Sequence, residues 1–399
     1  MTVTTELPST KTRSRQPGWA ALQQIVAKQM ARIDRQGRRR ELPKTPPQNS
    51  IDLTHNDYLG LRQRNDLQAK TREAIASLPM GSGGSRLLGG NHPVFNALEA
   101  DFSKLKGVAA SLYFPSGYTA NEAICRALIN PAVAVFCDEL NHASIMDGIR
   151  LARVSPERKT LFPHNDMDAL EVGLAKSQAK LNLVMTESVF SMDGDFAPLE
   201  KLKQLCDRYQ GILIVDEAHG LGVYGPQGEG CLGDADVDPN EVISINPCGK
   251  GLGASGAFVS GPEWLIEYLI NTARGFIYTT APSPWLAAGL LQTLDMVATM
   301  AAERAWLKHI TTDVRTRLHK IGYKVSTSGS HILPLVIGDE SQALAFESKL
   351  KEQGIFCKAV RPPTVPAGTS RLRLSLHAGL SQSEIDQLIY SLERLYHEL

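Results

Sequence analysis

Between about residues 50 and 260, short runs rich in β-branched and aromatic residues alternate with longer stretches whose apolar positions recur at helical spacing. The runs Ala110–Phe114, Ala132–Cys137, Leu181–Thr186, Gly211–Val215, Val242–Ile245 and Gly256–Val259 predict strands. The stretches Tyr118–Leu128, Ala143–Ala152, Met167–Lys176 and Leu199–Tyr209 predict helices between them. Strands alternating with helices imply an α/β fold with a mostly parallel sheet covered on both faces. A long helical region, 283–322, leads to a smaller α+β unit. That unit has strands near His331–Ile337 and Arg371–Leu376 and helices over 341–353 and 382–397. Ahead of everything, Trp19–Arg35 carries Leu22, Ile25, Val26, Met30 and Ile33 at helical spacing and runs into Arg38-Arg39-Arg40. The expected division is a tail and helix over 1–50, a large ligand-binding α/β domain over 51–290, and a smaller α+β domain over 291–399.

Bulk properties narrow the function classes. At 399 residues the chain is too long for one ordinary core. Its 42 basic residues balance its 42 acidic ones, which favours neither nucleic acid nor an anionic membrane as a partner. The six cysteines, Cys125, Cys137, Cys206, Cys231, Cys248 and Cys357, have neither Cys-x-x-Cys pairing nor metal-ligand spacing, so no metal is expected. Scattered thiols suit a reducing compartment, and no apolar run reaches the roughly 18 residues of a membrane span. Residues 1–18 lack the apolar stretch of a secretory signal and predict a disordered tail. The expectation is a cytoplasmic globular protein.

Candidate chemistry gathers at the ends of the predicted strands, where open α/β sheets bind ligands. Val242-Ile243-Ser244-Ile245 is followed by Cys248-Gly249-Lys250-Gly251-Leu252-Gly253, a lysine walled in by glycine. Such a setting lets a flat ligand approach the backbone, and a desolvated amine there can form a Schiff base with a carbonyl compound. Ile212-Leu213-Ile214-Val215 runs into Asp216-Glu217-Ala218-His219-Gly220. An aspartate so placed can pair with a protonated ring nitrogen, although a helix cap and a core histidine would read the same way. Leu183-Val184-Met185 leads likewise to Glu187 and Ser191. The turn Pro115-Ser116-Gly117-Tyr118 opens a helix whose free amides can cradle a phosphate. His142 opens another helix after Phe136-Cys137-Asp138, where an imidazole could stack on an aromatic ring. Three other motif readings fail. Gly251-Leu252-Gly253-Ala254-Ser255-Gly256 satisfies G-x-G-x-x-G but precedes a strand instead of a helix; no phosphate loop surrounds Lys250; and no G-x-S-x-G elbow exists for a hydrolase.

Taken together, Asp216, His219, Ser191, His142 and Lys250 resemble the α-oxoamine synthases, pyridoxal phosphate enzymes of the fold-type-I aminotransferase superfamily. Further similar runs are His55-Asn56-Asp57-Tyr58-Leu59-Gly60, Gly81-Ser82-Gly83-Gly84-Ser85-Arg86 and Val360–Arg373. The last, with Thr186–Asp195, is most similar to the branch that joins L-alanine to a pimeloyl thioester, of coenzyme A or acyl carrier protein, with loss of carbon dioxide. The resemblance implies an acyltransferase with pyridoxal 5'-phosphate held in the large domain. Lys250 would bind it covalently and then act as general base, Asp216 would pair with its ring nitrogen, and His219 and Ser191 would bond its ring oxygen. His142 would stack on the ring, with Glu187 in the same rim, and Gly117 and Tyr118 would donate amides to the phosphate. Thr279 and Thr280 would reach the partner subunit's phosphate, implying a homodimer. Arg373 would clamp the amino-acid carboxylate, with Asn56, Arg361 and Thr364 on the substrate side and Arg38 at the acyl substrate.

Two departures stand out. The family places a threonine or serine three residues before the lysine, as a phosphate ligand, where this chain has Pro247; Asn246 or Ser244 is expected to substitute. The family's Ala-Ala-His after the arginine is replaced by Leu376-His377-Ala378-Gly379, so no role is carried to a histidine there. Another amino acid and acyl donor, as in glycine C-acetyltransferase, remains an alternative. A non-catalytic partner subunit is the other, and Lys250 argues against it.

Overall fold

The computed structural model describes residues 17–47, 49–326 and 328–398. The described residues fall into two compact units, 17–47 and those from 49 onward. In the first, the helix Pro17–Arg35 leaves Trp19, Leu22, Ile25 and Val26 exposed. Arg39 pairs with Asp34 at 3.1 Å, and Arg38 donates to Gln36 Oε1 at 3.4 Å. The tail expected before this helix, residues 1–16, lies outside the described residues.

The second unit is built on seven strands, β1 (Ala110–Phe114), β2 (Val133–Asp138), β3 (Lys159–Phe162), β4 (Leu181–Glu187), β5 (Gly211–Asp216), β6 (Val242–Pro247) and β7 (Ala257–Gly261). Their order is β1-β7-β6-β5-β4-β2-β3, parallel except for β7, which runs antiparallel to both neighbours. Both faces are covered. On β4 and β5, Val184, Leu213 and Val215 enter one apolar cluster, while Leu183, Met185 and Ile214 enter another. This is the period-two alternation of a strand buried on both sides. The edge strand β3 escapes the apolar pattern because most of it stays partly or fully exposed.

Several strands outrun their apolar patterns. β2, β4 and β5 each continue one residue further, to Asp138, Glu187 and Asp216. The ladder continues where the hydrophobic run stops, so these carboxylates are fixed by strand backbone.

A second sheet joins β8 (Ile332–Gly338), β9 (Lys358–Val360) and β10 (Ser370–Ser375) in the order β9-β10-β8, all antiparallel. Its Leu333, Leu335, Leu372 and Leu374 belong to the same apolar cluster as Val184 and Val215. The helical region 283–322 resolves into Pro284–Thr299 and Ala301–Ile321. The expected boundary near 290 therefore falls within a helix and separates two sheets that share a core. No single described helix is long and apolar enough to cross a membrane. All six cysteines are buried free thiols.

Candidate active site

Asp216 closes β5, in register with Glu187 on one side and Ile245 on the other. Its Oδ1 accepts from the Ala218 amide at 2.9 Å and its Oδ2 from Asn121 Nδ2 at 2.7 Å, which orients a buried carboxylate. Asn121 also donates to Ser144 Oγ at 3.0 Å, and Ser144 Oγ lies 2.7 Å from His142 Nδ1. The His142 amide donates to Glu187 Oε1 at 2.6 Å. One chain of contacts thus runs from Asp216 through Asn121, Ser144 and His142 to Glu187. Burial lowers the His142 pKa, helped by the charge of Lys250 and opposed by Asp216. Burial, reinforced by neighbouring Asp216, pushes Glu187 up to about 8.

Lys250 sits in the loop that turns β6 back into β7. The loop is closed by Cys248 N donating to Gly256 O at 2.9 Å and Gly253 N to Lys250 O at 2.8 Å. A Cβ on Gly251 would lie 2.1 Å from the Leu221 carbonyl oxygen, so only glycine fits next to the lysine. Lys250 is half-buried and makes no ion pair among the described residues. Burial pulls its ammonium pKa down, against the opposing charges of Asp216 and Glu187.

The helix Gly117–Leu128 is capped by Ser116 Oγ, which accepts from the Thr119 amide at 3.2 Å. The amides of Gly117 and Tyr118 fall in its first turn, where helix geometry offers no carbonyl partner. A Cβ on Gly117 would lie 2.6 Å from Pro247 Cγ, so the proline ring packs beside this cradle. The Tyr118 side chain points elsewhere, donating to Asp147 Oδ2 at 2.6 Å. The expected substitutes for the missing hydroxyl do not reach this face. Asn246 is fully buried and donates to Ser244 Oγ at 2.9 Å and Ser260 Oγ at 3.4 Å. Strand alternation puts Ser244 and Asn246 on the side of β6 opposite Pro247.

His219 is buried, with Nδ1 2.5 Å from Tyr58 Oη. Tyr58 Oη lies 3.1 Å from Asn56 Oδ1, which also accepts from Arg373 Nη1 at 3.1 Å. Arg373 further donates to Ser375 Oγ at 2.6 Å and, through Nε, to the Ser191 carbonyl at 2.6 Å. Ser191 is thus tied to the site through its backbone. Thr364 is exposed and donates its amide to the Arg361 carbonyl at 3.0 Å, while Arg361 lies 4.0 Å from Glu340. Thr279 is half-buried and Thr280 exposed, on the strap after the short helix Arg274–Ile277. Arg38 belongs to the first unit. The displaced His377 packs its ring 4.9 Å from that of His55, and burial lowers its pKa to about 4. Sequence reasoning assigned nothing to Tyr58, Asn121 or Ser144. Tyr58 stands inside the run 55–60 and Asn121 in the helix opened by the turn 115–118, but only the fold shows which atoms they meet.

The donor set fits pyridoxal phosphate. A buried oriented carboxylate suits a protonated ring nitrogen, a glycine-lined helix start suits a phosphate, and a desolvated amine suits an aldehyde. Residues 48–392 match the family described as aminotransferase class I and II. The chain belongs to that aminotransferase family. Among its relatives, 8-amino-7-oxononanoate synthase of Herminiimonas arsenicoxydans is 39% identical over 387 residues, covering 93% of this chain and 99% of its own. The same enzyme of Anaeromyxobacter dehalogenans is 40% identical over 384 residues, 94% and 96% of the two chains. Solved structures extend the aminotransferase likeness to three dimensions. Serine palmitoyltransferase of Sphingomonas wittichii superposes with a TM-score of 0.85 at 26% identity over 95% of this chain and 98% of its own. The 8-amino-7-oxononanoate synthase of Francisella tularensis gives 0.76 at 29% identity, over 88% and 100%.

Proposed function

We propose that this enzyme condenses L-alanine with a pimeloyl thioester, releasing carbon dioxide and the free thiol to give 8-amino-7-oxononanoate, a step of biotin biosynthesis. The observation that carries this reading is the match to synthases of that name across 93% and 94% of the chain, with the lysine, aspartate and histidine of a pyridoxal phosphate site all present. Bound pyridoxal phosphate supplies an electron-poor ring that takes up the negative charge left at the alanine Cα. Asp216 holds the ring nitrogen proton, and the Asn121 and Ala218 bonds keep its two oxygens from turning away. His142, its backbone fixed by Glu187, would stack on the ring. His219 and Ser191 serve the ring oxygen, and Gly117 and Tyr118 the phosphate. Arg373 clamps the alanine carboxylate with Asn56 beside it, a task for which a planar guanidinium is suited. The Lys250 amine, made easier to deprotonate by burial, takes the proton from Cα. Arg361 and Thr364 act on the substrate side, and Arg38 on the acyl donor, whose phosphate-bearing carrier is coenzyme A or acyl carrier protein. The working form is a cytoplasmic homodimer in which Thr279 and Thr280 complete the neighbouring site.

The test is a mass-spectrometric assay of alanine, glycine and serine against pimeloyl and acetyl thioesters. Alanine with the pimeloyl thioester should turn over fastest, and Lys250→Ala should abolish both product and the absorbance of covalently held cofactor. Faster turnover of glycine with acetyl-coenzyme A would replace the pimeloyl assignment. The better backbone superposition on serine palmitoyltransferase does not favour serine, because a TM-score compares folds and not pockets.

A further inference from the structure

We propose that Tyr58 is a positioning residue that fixes neutral His219 as the tautomer with its proton on Nδ1, through a hydrogen-bond relay whose direction is set by Arg373. A guanidinium can only donate. The Asn56 side-chain atom 3.1 Å from Arg373 Nη1 must therefore be the amide oxygen, since the flipped amide would set N–H against N–H. That same oxygen lies 3.1 Å from Tyr58 Oη, and a carbonyl oxygen has two lone pairs to receive both donors. The phenol has one hydrogen. Turned to Asn56, it joins two oxygens; turned to His219, it would leave them facing each other lone pair to lone pair. Tyr58 therefore donates to Asn56 and accepts at 2.5 Å from His219 Nδ1–H.

The surroundings hold this direction. Tyr58 is fully buried, its ring 3.9 Å from that of His331 and its carbonyl accepting from the Ala378 amide at 2.8 Å. Burial, with the charges of Lys250 and Arg373, lowers the His219 pKa far enough to keep the ring neutral. A neutral imidazole has a single N–H, so Nε2 is left bare. It meets a ligand as an acceptor and becomes a donor only by gaining a proton, with the Nδ1–H bond to Tyr58 kept. Granting the function proposed above, one hydroxyl then connects the carboxylate clamp to the histidine at the cofactor's ring oxygen.

The test uses cofactor-free full-length protein with 15N-labelled histidine, whose ring-nitrogen shifts report the tautomer, His219 being assigned with His219→Gln. Wild type should show Nδ1–H. Asn56→Leu, which does not alter His219 itself, should reverse it to Nε2–H, because the phenol hydrogen then has only His219 to go to. Wild type with Nε2–H, or Asn56→Leu with an unchanged tautomer, would overturn the relay. If Asn56→Leu does not fold, the wild-type spectrum alone decides. In the loaded enzyme, Tyr58→Phe should raise the alanine KM and lower kcat, together costing about tenfold, with bound cofactor still stoichiometric. If wild type took up no pyridoxal phosphate, the proposed function would fail, while the tautomer measurement would still judge the relay.

Discussion

At Pro247 the chain has no hydroxyl where the α-oxoamine synthases place one, and the ring that replaces it rests on Gly117. The geometry shows what is lost. A side chain on this face of β6 lies next to the helix start expected to hold the phosphate, whereas Ser244 and Asn246 lie on the other face, where Asn246 Nδ2 donates to Ser244 and Ser260. Threonine at 247 would put a donor beside the Gly117 amide. A hydrogen bond to a charged acceptor contributes roughly 1.5 kcal/mol, so Pro247→Thr should tighten pyridoxal phosphate binding about tenfold. Fluorescence titration of the cofactor-free protein measures this directly, and an unchanged dissociation constant would rule the idea out. The converse change, Gly117→Ala, drives a Cβ into Pro247 and should loosen cofactor binding. If crowding by the proline ring is the cause, the double variant with Pro247→Ala should recover part of the loss.

The elements around the site are locked by a histidine that no sequence signal marked. His164, just after β3, places Nδ1 3.0 Å from Asp138 Oδ1 at the end of β2 and Nε2 2.8 Å from Asp195 Oδ2. Arg371 on β10 donates to Asp193 Oδ1 at 2.6 Å and to the Met192 carbonyl at 3.1 Å. The segment 191–195 is therefore held by three side chains, Arg373 at the Ser191 carbonyl, Arg371 at Met192 and Asp193, and His164 at Asp195. Burial alone would lower the His164 pKa, yet the bonds to Asp138 and Asp195 outweigh it and raise it to about 10. A raised histidine pKa stabilises the fold fully below the unfolded value of roughly 6.5, and this stabilisation is lost as pH climbs through about 10. His164→Gln should thus be less stable than wild type by about 1–3 kcal/mol at pH 6, with the gap closing toward pH 10. Urea denaturation across that range reads it, and a gap independent of pH would contradict the charged clamp. The strand cores were visible because burial on both faces leaves apolar runs, and Asp216, His219 and Lys250 were visible because polar residues end those runs. His164 and Tyr58 were not, because their partners come from distant stretches of chain. Tyr58 meets His219 across 161 positions, a pairing that only the packed fold makes.

At the scale of the whole molecule, the question is whether one chain can complete its own site. The strap that carries Thr279 and Thr280 is pinned to the glycine-rich run 81–86, with Ala281 N donating to Gly84 O at 2.9 Å and Ser82 Oγ to Pro282 O at 2.5 Å. Among the described residues, neither threonine makes a hydrogen bond to Lys250, Asp216 or His219 of its own chain. In the proposed homodimer, of twice 43.5 kDa, each of two sites would draw its lysine from one chain and its threonines from the other. Lys250→Ala cannot hold the cofactor covalently, and Thr280→Asp sets a carboxylate against the phosphate, so each homodimer should be inactive. In a hybrid of the two, one site receives both defects and the other receives neither. Co-expressed with different tags and purified through both, the hybrid should regain about half the wild-type activity and bind one covalent cofactor per dimer. Were the threonines to act within their own chain, each hybrid site would carry one defect, and neither activity nor stoichiometric cofactor would return.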